Sequence, residues 1–484
     1  MRVVADNPTV PAARRNWIEA ILLALFGAAL AFQLLVPPIV GLADNGDFSR
    51  VASPLGIFPP EELGDRAFFA WIVPQYRFDP GRIWIHGLCC YSSQTALALA
   101  ALPVGLAAAP PRRFDLRATG VVNGLALAGA LALLLFALQP LSLIPRGLAG
   151  LLLVAAFTDV GYVSLLNSFY TEPAALVFFL ATLALALLLA RSPNPPVWLA
   201  GAFFLASALL ATSRPQNAPL GFFLAVLGWR IARYDDTRRR RLVLFAAVLL
   251  GVASFAYSRS TSPLLKRIYQ FGAVFRTLLP DSPEPQRDLA ALGLPPQFAR
   301  WIDVPGFSPQ APVNDPAFQR AFAPVGYGRL ALFYAARPAR LWRALDRGAS
   351  EAFEMRPDGV GNFAEETGAP PFAVSGSFSA WSRAKAKLLP GRVGFLALYF
   401  LGSLAAAIHL RRNAAGAAIR GVAEIWIALL FIAAFQFGVA CVMTGATSRR
   451  SFFFFNAAFD VTLIALAVRI SDLRPAFAPA AGPS

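Results

Sequence analysis

The stretch WIEAILLALFGAALAFQLLVPPIVGLADNGDFSR, residues 17–50, sets an apolar run, a proline stop and an acidic turn in immediate succession. A helix crossing the hydrocarbon layer needs ~20 mostly apolar residues, and Trp17 to Val36 supplies them. Pro37-Pro38 ends the run, because proline lacks the amide donor and clashes with the preceding turn. Ala29-Leu30-Ala31 mimics a signal-peptide cleavage site, but the run continues through Phe32-Gln33-Leu34-Leu35-Val36, longer than a typical signal core. On either reading, the polar stretch after Pro38 is exported. Arg2, Arg14 and Arg15 put the N-terminus in the cytoplasm.

The same kind of run recurs along the chain, as at Ala118 to Leu138, Ala174 to Ala190 and Val422 to Met443. Of the 484 residues, 57% are hydrophobic and 14% charged, with mean hydropathy +0.56. Soluble domains average about 45–50% apolar and about 25% charged. The chain therefore reads as an all-α polytopic membrane protein. Its net charge of +16 invites a nucleic-acid reading, but Arg14-Arg15, Arg238 to Arg241 and Arg411-Arg412 each adjoin an apolar run. Cytoplasmic loops concentrate positive charge there, so nucleic acid is not an expected partner. Lysine occurs at 266, 385 and 387 alone, which reads as genome composition. Three cysteines, with Cys89 and Cys90 adjacent and Cys441 inside a run, give no disulfide framework.

Parity fixes the topology. The segment RIARYDDTRRRR, residues 230–241, is basic enough to be cytoplasmic, so one earlier apolar run must fail to cross. Ser92 to Ala109, broken by Pro103 and followed by Pro110-Pro111, fits a juxtamembrane helix on the outer surface. About ten spans remain, near 17–36, 118–138, 147–167, 174–191, 197–212, 218–232, 241–257, 393–410, 421–443 and 452–470, with both termini inside. A Pro-rich external region spans Ser258 to Arg392, with amphipathic stretches such as Leu330 to Leu345 expected to pack on the membrane domain. The Ala/Pro-rich tail after Arg474 reads as disordered.

Polar clusters gather on the outer face. Asp44-Asn45-Gly46-Asp47-Phe48-Ser49-Arg50 puts two carboxylates and an arginine at headgroup level, where a lipid-linked phosphate also sits; Asp-Asn-Gly is equally plain turn chemistry. Asn167 to Pro173 holds Tyr170 and Glu172, the latter also readable as a helix-start acid favoured by the dipole. Asp159 lies inside a span, either as a functional acid or hydrogen-bonded within the bundle. Arg214, Arg449 and Arg450 face outward, able to fork onto phosphate oxygens or to snorkel to headgroups. Arg77 and Arg82 stand in reserve in the first loop. His86 has no ligand set around it for structural zinc. A Walker loop, a Gly-x-Ser-x-Gly elbow and a dinucleotide fingerprint are all missing from the sequence.

In its order of motifs the chain resembles the GT-C superfamily of membrane glycosyltransferases, and within it the bacterial glycan-biosynthesis hexose transferase family. The residues that carry the resemblance are Asn45-Gly46-Asp47-Phe48 with Arg50, Tyr91-Ser92-Ser93-Gln94, and Asn167-Ser168-Phe169-Tyr170 with Glu172, followed by Ser213-Arg214-Pro215, Trp381-Ser382, and Phe454-Phe455-Asn456 with Asp460. Arg450-Ser451 departs from a basic residue followed by histidine.

The resemblance implies a hexosyltransferase of the bacterial cytoplasmic (inner) membrane, active on its outer face. It would move a hexose from a polyprenyl-phosphate donor to a glycan or lipid-linked acceptor, with inversion. Asp47 would be the base, with Asp44 its alternative and Glu172 a second acid. Arg50, Arg214, Arg449, Arg450, Asp159, Tyr170 and Arg82 would bind substrate or phosphate. No cofactor is certain; a divalent metal held by Asp44, Asp47 or Glu172 could serve instead of arginine at the leaving phosphate. The chain would divide into a transmembrane catalytic module (1–258, with its first external loop at 37–117), an external region (259–392) and C-terminal spans with a tail (393–484). The rival readings are a lipid-linked glycan transporter or flippase, with Asp159, Glu424 and Gln436 along its path, and a glycan polymerase or ligase.

Overall fold

The computed structural model describes residues 17–84, 91–357, 359–443 and 449–473. The expectations for Arg2, Arg14, Arg15, His86, Cys89, Cys90 and the tail after Arg474 fall outside these residues.

The helices are α1 (Trp17–Leu35), α2 (Ser93–Ala107), α3 (Arg117–Ala137), α4 (Leu143–Phe157), α5 (Glu172–Arg191), α6 (Val197–Ala211), α7 (Leu220–Ile231), α8 (Thr237–Arg259), α9 (Pro263–Gly272), α10 (Pro338–Glu351), α11 (Ala380–Leu388), α12 (Val393–Arg412), α13 (Ala417–Met443) and α14 (Phe453–Leu473), with shorter turns between them. Among the described residues seven helices are long and apolar enough to cross a membrane: α1, α3, α5, α8, α12, α13 and the segment Arg449–Ile470, which holds most of α14. Four apolar helices, α2, α4, α6 and α7, are shorter; α2 is the one expected not to cross. The seven long helices with α4, α6 and α7 fall at the ten expected runs, the 147–167 run being cut short, and the chain is an all-α polytopic membrane protein.

One end of the bundle gathers Ala137, Pro145, Arg191, Leu410, Ala418 and Arg469 around a shared apolar crevice. Arg230 and Arg411 both reach Glu424 at this end. The other end gathers Asp47, Glu172, Arg214 and Arg450. Helix α5 is the most enclosed, with 83% of its apolar window buried, whereas α8 and α12 bury 28% each. On α8 the side chains of Phe245, Val248, Leu249, Val252 and Phe255 lie exposed, a stripe that suits lipid and not water.

Helix α2 runs across the end that holds Glu172. Ser92, its N-cap, reaches Ser213, while Gly105 near its other end abuts Phe114, which packs on Phe169. That is the arrangement expected of a surface helix.

Three features depart from the expectations. The 147–167 run is broken: α4 stops at Phe157, and Asp159 caps a new turn, Val160–Val163, by accepting from the Gly161 amide. The first loop folds into a small antiparallel sheet of β1 (Leu55–Phe58), β2 (Gln75–Ile83) and β3 (Arg113–Asp115), in that order. The Leu330–Leu345 stretch is split ahead of Pro338 into Tyr327–Ala335 and α10. Helix α10 does pack on the bundle, with Gly348 against Cys441 and Phe452. Between Ile268 and Ala344 the chain builds a separate apolar core around Phe271, Phe275, Phe318 and Phe322, with Val442 and Met443 of α13 against it.

Candidate functional site

The chain leaves α1 at Leu35 and turns back under the control of Asn167, whose amide donates to the carbonyls of Leu34 and Val40. Asp44 comes next. Its Oδ1 accepts from the amides of Gly46 and Phe48, and Gly46 adopts φ +97°, a conformation that favours glycine. The turn reading of Asp-Asn-Gly is therefore correct, and the turn aims Asp47. Phe48 is buried against Tyr76, Phe169 and Tyr170.

Arg450 lies at the centre. Its Nη2 donates to Asp47 Oδ2 and its Nε to Glu172 Oε1, each at 2.6 Å, while Nη1 reaches Asn45 Oδ1 at 3.3 Å. The guanidinium carbon stands 4.2 Å from the centre of the Tyr170 ring. The Tyr170 hydroxyl donates to the Ala43 carbonyl at 2.7 Å and accepts from the Asn45 amide at 3.0 Å. Arg214 donates to Glu172 Oε1 at 2.9 Å. Arg50 pairs with Asp47 Oδ1 at 2.9 Å and donates to the Tyr269 hydroxyl. Glu172 is 0% exposed, and its Oε2 has no hydrogen-bond partner within the described structure. The side chain of Asp47 keeps 22% exposure.

Burial opposes ionisation of Asp47, but Arg450 and Arg50 outweigh it and hold the carboxyl below its ordinary value. Asp44 behaves oppositely: burial pushes it up to about 6, against the two backbone hydrogen bonds that favour its charge. Two carboxylates three residues apart thus carry distinct protonation behaviour.

A cavity of about 440 Å³ opens beside the cluster. Arg50, Arg214, Arg450 and Lys266 line it together with Tyr269 and Tyr327, and Leu265, Phe435, Val439 and Met443 supply apolar wall. One space therefore offers cations and a greasy surface.

Seven of the expected residues meet here: Asp44, Asp47, Arg50, Tyr170, Glu172, Arg214 and Arg450. Three do not. Arg449 turns to Glu354 at 2.5 Å. Arg82 pairs with Asp79 and lies over Phe58 on the sheet. Asp159, besides its capping role, accepts from the amide and hydroxyl of Ser382, the hydrogen-bonded alternative. Lys266, Tyr269 and Tyr327 were not expected, since the external region has no readable motif. The rarity of lysine was the available signal: of the three lysines, Lys266 lines the cavity and Lys385 is buried against Asp460.

A divalent metal does not fit these residues as they stand. Asp47 Oδ2 and Glu172 Oε1 both engage Arg450, and Asp44 Oδ1 serves backbone amides. Among the described residues no group of three or more His, Cys, Asp or Glu side chains could hold a metal ion.

No curated protein matches the chain. The crystal structure of the Archaeoglobus fulgidus oligosaccharyltransferase in its apo form aligns over 96% of this chain and 52% of its own, at 10% identity and a TM-score of 0.41. The chain thus spans about half the length of that protein, and the similarity is too distant to carry an argument. The sequence model of the YfdI N-terminal transmembrane domain, by contrast, matches residues 9–477. With nearly its whole length covered, the chain belongs to the YfdI N-terminal transmembrane domain family.

Proposed function

We propose that the protein is an inverting membrane glycosyltransferase of GT-C type, which takes a hexose from a polyprenyl-phosphate donor and gives it to a glycan or lipid-linked acceptor on the outer face of a bacterial cytoplasmic membrane. The observation that carries this reading is the cavity in which Arg50, Arg214, Arg450 and Lys266 face an apolar wall, directly beside Asp47. A phosphate bearing an isoprenoid tail needs both surfaces at once: charge-assisted hydrogen bonds at its head and apolar contact along its chain.

In this reading the acceptor hydroxyl attacks the anomeric carbon from the side opposite the phosphate. As the new C–O bond forms, the hydroxyl oxygen becomes cationic and acidic, and its proton passes to Asp47. The low basicity of Asp47 is tolerable because the proton leaves late. The old C–O bond breaks with its electron pair going to the polyprenyl phosphate. Preplaced cations stabilise that growing charge best in a dehydrated site; Arg214, Arg450 and Lys266 are placed for it. Arg50 orients Asp47, and Asp44 shapes the turn that holds it.

The polar residues that a transport path would use are engaged elsewhere. Asp159 caps a turn, Glu424 pairs with Arg230 and Arg411, and Gln436 donates to Asn217. The test is Asp47→Asn in purified membranes supplied with polyprenyl-phosphate hexose. Removal of a general base is worth roughly 10²–10⁴-fold in rate, and undiminished transfer at normal expression eliminates the assignment. Net translocation of the lipid-linked sugar without a new glycosidic bond would favour the transporter instead.

A further inference from the structure

We infer that Arg450 is the resident cation of this site, standing where a divalent metal would otherwise bridge the two acids. The claim deepens the transfer reading, but its physical test does not depend on it. Each of the three guanidinium nitrogens addresses a different oxygen: Nη2 to Asp47 Oδ2, Nε to Glu172 Oε1 and Nη1 to Asn45 Oδ1. Two carboxylates and an amide carbonyl are the hard oxygen donors that Mg²⁺ or Mn²⁺ would choose. Here that convergence is occupied by a side chain covalently tied to the fold, set on the Tyr170 ring and only 8% exposed.

The charge balance points the same way. With Lys266 at the cavity wall, four cations (Arg50, Arg214, Arg450 and Lys266) stand against three carboxylates (Asp44, Asp47 and Glu172), so the cluster carries more positive than negative charge. A divalent ion arriving from the cavity would meet like charge at close range. An anion would meet the opposite. A guanidinium also differs from a metal in being planar and permanently protonated. It can hold two acids at fixed angles without exchanging ligands or leaving with a chelator.

The experiment measures thermal unfolding of the full chain in detergent. Its subjects are the unaltered protein and the Arg450→Ala and Arg450→Lys variants, each with methylguanidinium or with Mn²⁺. Arg450→Ala leaves an empty space faced by the carboxylates of Asp47 and Glu172. Methylguanidinium should fill it and raise the midpoint by about 2 °C through binding linkage, with no such rise in the unaltered protein. Mn²⁺ should not raise the midpoint of the unaltered protein, and electron paramagnetic resonance should find no Mn²⁺ immobilised on it. Arg450→Lys keeps the charge and serves as the variant most able to fold should alanine fail; it too should bind no Mn²⁺. Immobilised Mn²⁺ on the unaltered protein overturns the inference, as does failure of methylguanidinium to stabilise Arg450→Ala. Loss of all hexose transfer on chelation, with recovery on Mn²⁺ addition, overturns it as well. Absence of transfer under every condition would sink the proposed function and leave the binding result standing.

Discussion

Two of the buried ionic clusters among the described residues are built on opposite plans. In one, Lys385 of α11 meets Asp460 of α14: the ammonium donates to Asp460 Oδ1 at 2.8 Å and to Asn456 Oδ1 at 2.6 Å, while the Tyr162 hydroxyl donates to Asp460 Oδ2 at 2.7 Å. One positive charge faces one negative, both carboxylate oxygens are engaged, and the pair is almost wholly enclosed, at 4% and 0% exposure. In the other, three arginines face two carboxylates, one carboxylate oxygen has no partner, and the side of the cluster lies open to a cavity. Taking charge out of water is expensive in both places. The neutral, closed cluster recovers that cost within the fold and locks α11 onto α14. The open, over-positive cluster leaves part of it unrecovered, and under the proposed function the donor phosphate offsets that part.

The comparison can be broken at either end. Lys385→Met should have the largest effect. It leaves the Asp460 carboxylate buried without its ammonium, at a cost of roughly 3–5 kcal/mol, read as a fall in the thermal midpoint in detergent. The fraction that folds should transfer sugar at close to the normal rate. A folded but inactive Lys385→Met protein would erase the distinction between the clusters. Much of the lost stability should return in Lys385→Met/Asp460→Leu, where neither charge remains.

Arg214→Ala should come next, with the emphasis reversed. It removes a cation from the phosphate end, and transfer should drop about 10²-fold while the midpoint moves less than for Lys385→Met. A larger change in stability than in rate would recast Arg214 as structural. The pH response sharpens the contrast further. Asp44, at about 6 in the folded state, lies above its unfolded value. Folded protein therefore takes up this proton first, and its contribution to stability declines as pH rises from about 4 to about 6. Asp47, held low, contributes stability above its unfolded value, and this is lost as pH falls through its depressed folded value. Transfer should weaken below pH 6 as Asp44 protonates and the two amide hydrogen bonds to its Oδ1 weaken, although the fold as a whole gains from that proton. Asp44→Asn should flatten that acid limb without moving the midpoint of the Lys385 cluster. The smallest effect belongs to Lys266→Ala. Because Lys266 is exposed at the cavity wall, a rise in donor KM of a few-fold is expected, about 1 kcal/mol, with kcat little changed.

The helices could be read from sequence because twenty apolar residues in lipid have few alternatives to a helix. Two of the basic flanks meet at one end of the bundle, where Arg230 and Arg411 pair with Glu424. What failed was local. An acid in an apolar run looks like an intramembrane site, yet Thr158-Asp159 is also a helix start, and the structure uses it so. The candidate acids of the site could be found because they lie at or just beyond the ends of apolar runs. Their geometry could not, since it depends on contacts such as Arg50 with Tyr269 and Arg450 with Asp47, across 219 and 403 residues. The sheet in the first loop was hidden by its irregular strands: β2 passes through Asp79-Pro80-Gly81 and pairs with β1 through a shift in register.

Tyr170 sets a tolerance for everything around it. Its ring is the floor under the guanidinium of Arg450, and its hydroxyl grips the backbone on both sides of Asp44, at Ala43 and Asn45. Placement errors in the arginine and in the acid-bearing loop are therefore correlated, not independent. If thermal motion lifts the ring, both move together and their separation is preserved. Phenylalanine at this position would keep the floor and release the grip, so that the acid could drift relative to its cation while each remained well packed.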